Sequence, residues 1–193
     1  MFSINETYIT ELSIKKSKFI SILTPFNDAN KLKTLIDEYR QKYPGASHYT
    51  YAYKTFDSER FYDDKEVAMT AGLPIFEEIE KNNLINVICI VIRYYGGVKL
   101  GTGGLRKAYK ESSKEVISKA ALKKVTEANH IRIMFSYDNT SKVKSIIKDF
   151  NIINEEYDEN CTIDFYSDLN FDLTNLESIC DDVTTIKKAF ILK

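Results

Sequence analysis

The sequence predicts a two-domain α+β protein, and three observations carry that expectation. Strand-like and helix-like patterns alternate along the chain, formal charge changes sign near residue 125, and the last third reads strand–helix–strand–strand–helix–strand. With 193 residues the chain suits one large domain or two small ones, on a scale of roughly 100–200 residues per domain. Its 44% hydrophobic and 28% charged residues fit a folded globule rather than a disordered chain. Residues 1–125 carry 20 Lys and Arg against 15 Asp and Glu, whereas residues 126–193 carry 7 against 13. A basic half attracts anions and an acidic half repels them, so an anionic partner is expected on the first domain, 1–125, and not on the second, 126–193. The same opposition of charge could instead serve domain docking.

In the first domain, Ile9–Ile14 and Lys18–Leu23 read as strands around the polar Lys15-Lys16-Ser17. Residues 28–43 read as a helix with Leu32, Leu35, Ile36 and Tyr39 on one face, capped by Asn27 or Asp28 and stopped by Pro44-Gly45. The aromatic alternation of 47–56 predicts a strand, the polar 57–69 a loop, and Pro74 the start of a helix to about Lys81. The β-branched run INVICIVI at 85–92 has the composition of a strand buried on both faces. A helix is expected from Leu105 to Leu122, with Leu105, Ala108, Tyr109, Ser112, Val116 and Ala120 on its core face. Beyond 126, strands at 130–137, 152–157, 161–166 and 185–192, with helices at 141–150 and 173–180, give the ferredoxin-like order βαββαβ.

The segment richest in chemistry lies between the buried strand and the helix at 105. Five of the seven glycines fall there, Gly96, Gly97, Gly101, Gly103 and Gly104. Residues 93–124 hold nine basic residues against Glu111 and Glu115. Glycine concentrates where backbone takes positive φ or approaches another group closely. A glycine loop at a helix start offers bare N–H groups to an anion. The candidate phosphate or nucleic-acid ligands are therefore Arg93, Lys99, Gly101, Thr102, Gly103, Gly104, Arg106, Lys107, Lys110 and Lys114. A phosphate-cradling GxxxxGK[ST] fails because Gly101 is followed by Thr102-Gly103, and GxGxxG/A fails at Arg106. A plain strand-to-helix crossover beside a solvated lysine face explains the same residues equally well. Valine at Gly103 or Gly104 is expected to strain the backbone and disturb folding.

The string RYYGGVKLGTGGLRKAY at 93–109 resembles the signature of the YigZ/IMPACT family. SKF at 17–19, His48 with Ala52-Tyr53, Asp63-Asp64, TAGLPI at 70–75 and Asn86-Val87 follow in the same order. The resemblance implies an N-terminal domain like domain 2 of ribosomal protein S5 (a βαβ fold). It also implies a ferredoxin-like C-terminal domain similar to domain V of elongation factor G, and a theme of translation regulation. Fold analogy alone does not prove function. The chain departs from the family pattern at Lys65 and Val67, where Gly and Pro are usual, and at Thr50, where many members have Cys.

His48, Asp63, Asp64 and Glu66 are the weak candidates for acid–base or metal chemistry, and each also reads as an ordinary structural residue. HExxH, paired CxxC and GxSxG are absent from the sequence. The leading expectation is thus a non-enzymatic binding protein that contacts RNA, the ribosome or a translation factor through 93–124, with no cofactor and no metal. The alternatives are an enzyme handling a small phosphorylated molecule, with a phosphate or nucleotide ligand, and a protein–protein adaptor. The opening MFSINETYITELSIKKSKF lacks the apolar stretch of a secretory signal, and no apolar run approaches the roughly 20 residues of a membrane span. Cys89, Cys161 and Cys180 form no CxxC, and Cys89 sits in an apolar run, so reduced thiols and a cytoplasmic location are expected.

Overall fold

The computed structural model describes residues 1–192 and divides the chain into two compact units, Met1–Lys124 and Val125–Lys193. The first unit holds β1 (Phe2–Ser3), β2 (Tyr8–Ile14), β3 (Ser17–Pro25), α1 (Leu32–Lys42), β4 (His48–Lys54), β5 (Glu59–Tyr62), α2 (Gly72–Lys81), β6 (Val87–Tyr94) and α3 (Gly101–Lys119). Strand β7 (Lys123–Phe135) begins there and continues into the second unit. That unit adds α4 (Thr140–Ile147), β8 (Asn151–Tyr157), β9 (Cys161–Ser167), α5 (Thr174–Glu177) and β10 (Asp182–Leu192).

The main sheet of the first unit has the order β2-β3-β6-β4-β5, with every neighbouring pair antiparallel. Because β3 and β4 both run against β6, they are parallel to each other with α1 crossing between them, a split β-α-β unit. Ile88, Ile90 and Ile92 point to the α1 side and pack with Leu32, Leu35, Ile36 and Tyr39. Cys89 and Val91 point the other way, into a core with Ile75 and Ile79 of α2 and Leu105, Tyr109 and Val116 of α3. A strand covered on both faces has no polar side to show, which is why 87–92 reads as an unbroken apolar run.

Several boundaries differ from the sequence expectation; β7 begins at Lys123 rather than at His130, and four further differences fall in the first unit. The residues at 59–62, expected in a loop, form edge strand β5 against β4; all four are exposed, so no apolar alternation marks them. Short β1 pairs with Lys123 and Lys124. Helix α2 begins at Gly72, two residues before Pro74. Helix α3 begins at Gly101 rather than Leu105, so Gly103 and Gly104 are its first turn and not a loop. Glycine's helix cost, about 1 kcal/mol relative to alanine, makes such a start unreadable from propensity.

The β2–β3 hairpin closes through Lys15 and Lys16, at φ 45° and 68°. Two successive left-handed residues match the right-handed twist of the flanking strands, although Asn and Gly are the usual occupants. Gly96 meets this turn: a Cβ built on it would lie 1.9 Å from the Lys16 carbonyl oxygen.

The second unit has the sheet order β8-β9-β7-β10, all antiparallel, the ferredoxin-like arrangement expected from 126–193. Ile131, Ile133, Phe135, Ile163 and Phe165 pack with Val143, Ile147 and Leu176. On alternate positions Arg132 donates from Nε and Nη2 to the Asp164 carboxylate at 2.7 and 2.8 Å. The three cysteines are free thiols, and burial pushes Cys89 well up and Cys180 to about 11. Among the described residues no helix is long and apolar enough to cross a membrane.

Candidate functional site

The register of the main sheet assembles the site. His48 opens β4 opposite Arg93 near the end of β6, and Arg93 in turn lies opposite Phe19 of β3. The Arg93 guanidinium lies 5.5 Å from the centre of the Phe19 ring and 5.5 Å from that of Tyr95. Its side chain is 5% exposed, so its charge demands a partner, and Glu66 supplies it: Nη1 donates to Oε1 at 2.5 Å. Nη2 donates to Ser17 Oγ at 3.3 Å, while Nε is buried without a hydrogen-bond partner. The same Glu66 oxygen accepts from the Tyr109 hydroxyl at 2.9 Å. Burial first, then the nearby Glu66 carboxylate, push the Tyr109 phenol far above its ordinary range, so it stays a donor.

Glu66 reaches this position because the chain turns sharply at Asp64 and Lys65, at φ 42° and 68°, with Glu66 N–H donating to Asp63 O. Lys65 thus holds a left-handed backbone that a glycine would accept without strain. The two aspartates of the turn serve the fold. The Asp63 carboxylate accepts from the N–H groups of Met69, Ala71 and Gly72 and caps α2. Asp64 accepts from Tyr49 N–H at 2.6 Å and from Arg40 at 3.4 Å. Its carbonyl lies 2.8 Å from His48 Nδ1, which leaves Nε2 facing Glu66 Oε1 at 3.5 Å. Of the four acid–base candidates, then, His48 and Glu66 come together, and Asp63 and Asp64 are occupied elsewhere. Among the described residues no group of three His, Cys, Asp or Glu side chains is placed to hold a metal ion.

Above this cluster a cavity of about 500 Å³ opens at the start of α3. His48, Glu66 and Arg93 belong to its lining; Val67, Tyr95, Leu100 and Leu105 give apolar wall; Lys99, Gly101 and Thr102 line it from the α3 end. The cap position is Leu100, whose side chain makes no capping hydrogen bond. Among the described residues, no side chain accepts from the first-turn N–H groups of this 19-residue helix. Gly97 and Gly101, at φ +84° and +70°, let the chain swing from β6 into that helix.

The ten phosphate candidates divide. Arg93, Lys99, Gly101 and Thr102 line the cavity, and Gly103 and Gly104 continue the first turn. Arg106 donates to Met69 O at 2.7 Å and pairs with Glu77 at 3.0 Å. Lys107 pairs with Glu111, and Lys110 with Glu77 and Glu78. Lys99 and Lys114 form no ion pair among the described residues. Neither Gly103 nor Gly104 has a left-handed φ, and a Cβ at Gly103 would meet nothing within 4 Å. The strain expected of a side chain at Gly103 is thus absent; at Gly104 a Cβ would meet only Leu100 Cβ at 3.2 Å. Glu66 as counter-ion to Arg93 was beyond sequence reasoning, since a 27-residue separation carries no local period.

An antiparallel sheet with helices on both faces and a closed charge cluster beneath a helix start, followed by a ferredoxin-like unit, defines a two-part α+β class. Residues 15–117 match the Impact N-terminal domain, which takes in every residue of the cavity. The chain belongs to the IMPACT family. It is 30% identical over 151 residues to IMPACT family member YigZ of Escherichia coli, covering 75% of this chain and 74% of the relative. To IMPACT family member YvyE of Bacillus subtilis it is 30% identical over 173 residues, covering 86% and 78%. A crystal structure titled only as that of a hypothetical protein superposes with a TM-score of 0.70 at 26% identity, over 86% of this chain and 84% of the other.

Proposed function

We propose that the protein is a non-enzymatic binding protein of the cytoplasmic translation apparatus that holds an RNA phosphate at the first turn of α3. One observation carries the reading: Gly101 and Thr102, which open the uncapped first turn of α3, line a cavity together with Lys99, a cation that no acid among the described residues neutralises. Helix N-termini favour anions through unpaired N–H groups and the helix dipole. The paired cations Arg106, Lys107 and Lys110 contribute long-range attraction rather than direct grip. The chemistry of the cluster weighs toward binding over turnover. Glu66 Oε1 is already engaged by Arg93 and Tyr109, and one nitrogen of His48 by the Asp64 carbonyl, so this carboxylate serves first as the counter-ion of a buried guanidinium.

Titration of the full chain with ribosomal RNA across a salt series tests this. The logarithm of the affinity should fall linearly with log salt, with a slope of about −0.7 per phosphate contact on single strands. Lys99→Ala should lower both affinity and slope. Binding indifferent to salt and to Lys99→Ala would remove the reading.

A further inference from the structure

We propose that the hairpin tip Lys15-Lys16 and the turn residue Lys65 hold phosphates of the same RNA strand, so that its footprint runs along one end of the first sheet. The proposal rests on RNA being the partner and extends its contacts to three residues outside the cavity lining.

Among the described residues seven that are not glycine have a left-handed φ, and three of these are lysines: Lys15 at 45°, Lys16 at 68° and Lys65 at 68°. Asn and Asp, whose short side chains bond locally, are the usual non-glycine occupants of that region. Lysine has no such compensation, so each of the three positions is strained. Both turns have the same form. Ile14 and Ser17 bracket Lys15-Lys16, and Glu66 N–H donates to Asp63 O around Asp64-Lys65. With both central residues left-handed, Asn-Gly or Asp-Gly is the favoured pair. The second turn keeps Asp64 in first place but has lysine in the glycine place, and the tip has lysine in both. The fold requires only residues that tolerate the conformation. Nothing in the packing requires lysine, because all three are exposed and none pairs with an acid among the described residues. Strain kept at exposed, unpartnered cations points to a binding role, since stability is easily gained at such positions.

The fold gathers these lysines around Arg93. Ser17, directly after the tip, accepts through Oγ from Arg93 Nη2 at 3.3 Å and from Gly96 N–H at 3.2 Å. Gly96 lies against the Lys16 carbonyl, and Lys99 follows three residues later. Arg93 also reaches Glu66, the neighbour of Lys65. The acids of this end are engaged internally: Glu66 by Arg93 and Tyr109, Asp63 by the N–H groups opening α2, and Asp64 by Tyr49 N–H and Arg40. Lys15, Lys16, Lys65 and Lys99 remain as cations without counter-ions. Cations on three separate segments suit a run of phosphates rather than one anion. Lysine, a flexible point charge, follows a backbone without reading bases.

Titration of the full chain with a mixed-sequence single-stranded RNA of about 20 nucleotides, across a salt series, tests this. Lys15→Asn combined with Lys16→Gly installs the favoured turn pair. Its thermal midpoint should rise by about 2 °C or more, while affinity near about 0.1 M salt falls about tenfold. The slope of log affinity against log salt should shrink by about 1.4, at about 0.7 per lost contact. Lys65→Gly should shrink it by about 0.7 with the midpoint unchanged or raised. Lys15→Arg combined with Lys16→Arg keeps the charge and should keep affinity and slope. Tip and Lys65 variants that bind like the wild type, while Lys99→Ala weakens binding, would overturn the extended footprint and leave the RNA reading of α3 standing. Lost affinity at unchanged slope, or an equal loss in the arginine variant, would overturn it too, since either separates the effect from charge. Weakened tip variants beside an unaffected Lys99→Ala would do the reverse, keeping the tip contacts and taking the strand off α3. A wild-type chain whose binding ignores salt removes both.

Discussion

The Tyr109 hydroxyl and the Arg93 guanidinium meet on one oxygen of Glu66, so residues from α3, β6 and the 63–66 turn share a single buried acceptor. Removing that acceptor leaves a buried cation unpaired. Glu66→Ala should lose about 3–5 kcal/mol in chemical denaturation. Tyr109→Phe keeps the ring and the ion pair and should lose about 1.5–3 kcal/mol, the range for a hydrogen bond to a charged group. Equal losses in the two variants would mean that Arg93 finds another partner.

The glycines of 96–104 are not equivalent. Gly96→Ala forces a methyl group into the Lys16 carbonyl and should disrupt the first unit, read as loss of cooperative unfolding. Gly103→Ala adds a methyl group in open space on a helix and should stabilise by about 0.5–1 kcal/mol. A drop in thermal midpoint for Gly103→Ala would show that its backbone is constrained.

Lys65 carries its side chain at φ 68° and is exposed. Lys65→Gly relieves a left-handed penalty of about 1 kcal/mol, partly offset by the greater freedom of glycine in the unfolded chain. A gain of up to about 1 kcal/mol in denaturant titration is expected. Lys65→Val, branched at Cβ, should lose stability at the same position.

Asp164 contributes a pH dependence whose sign follows from its partners. The hydrogen bonds from Arg132, and secondarily the contact with His130, hold its carboxyl below the ordinary aspartate value of 3.8. Folding therefore favours the ionised form. The stabilisation is complete above the unfolded value and is lost as pH falls through the lower folded value. Between pH 6 and pH 3 the wild-type chain should lose more stability than Asp164→Asn, which lacks this group; parallel pH profiles would contradict it.

Much of this arrangement was legible because burial leaves a period in sequence. Ile88, Ile90 and Ile92 against Cys89 and Val91 declare a two-faced strand, and Leu32, Leu35, Ile36 and Tyr39 declare one helix face. Strand β5 was invisible because its ordering comes from backbone pairing with β4, not from buried side chains. The charge cluster shows the same limit at longer range. Basic residues between 93 and 124 read as one cationic surface, yet Arg93 is interior and Arg106, Lys107 and Lys110 are paired. The Lys107–Glu111 pair is an i,i+4 contact that spacing does encode, but the acids opposite Arg106 and Lys110 are decided by the packing of α2 on α3, and that of Arg93 by the 63–66 turn.

The close fit of Gly96 against Lys16 is made of main-chain atoms, and that has a consequence for how the family can vary. Side chains at the hairpin tip are free to drift among residues that tolerate left-handed backbone, but the number of residues there is frozen. One added residue at the tip would push the strand-to-helix passage outward and carry the mouth of the cavity with it. Insertions should accordingly be tolerated elsewhere on the surface of the first unit and be rejected at 15–16.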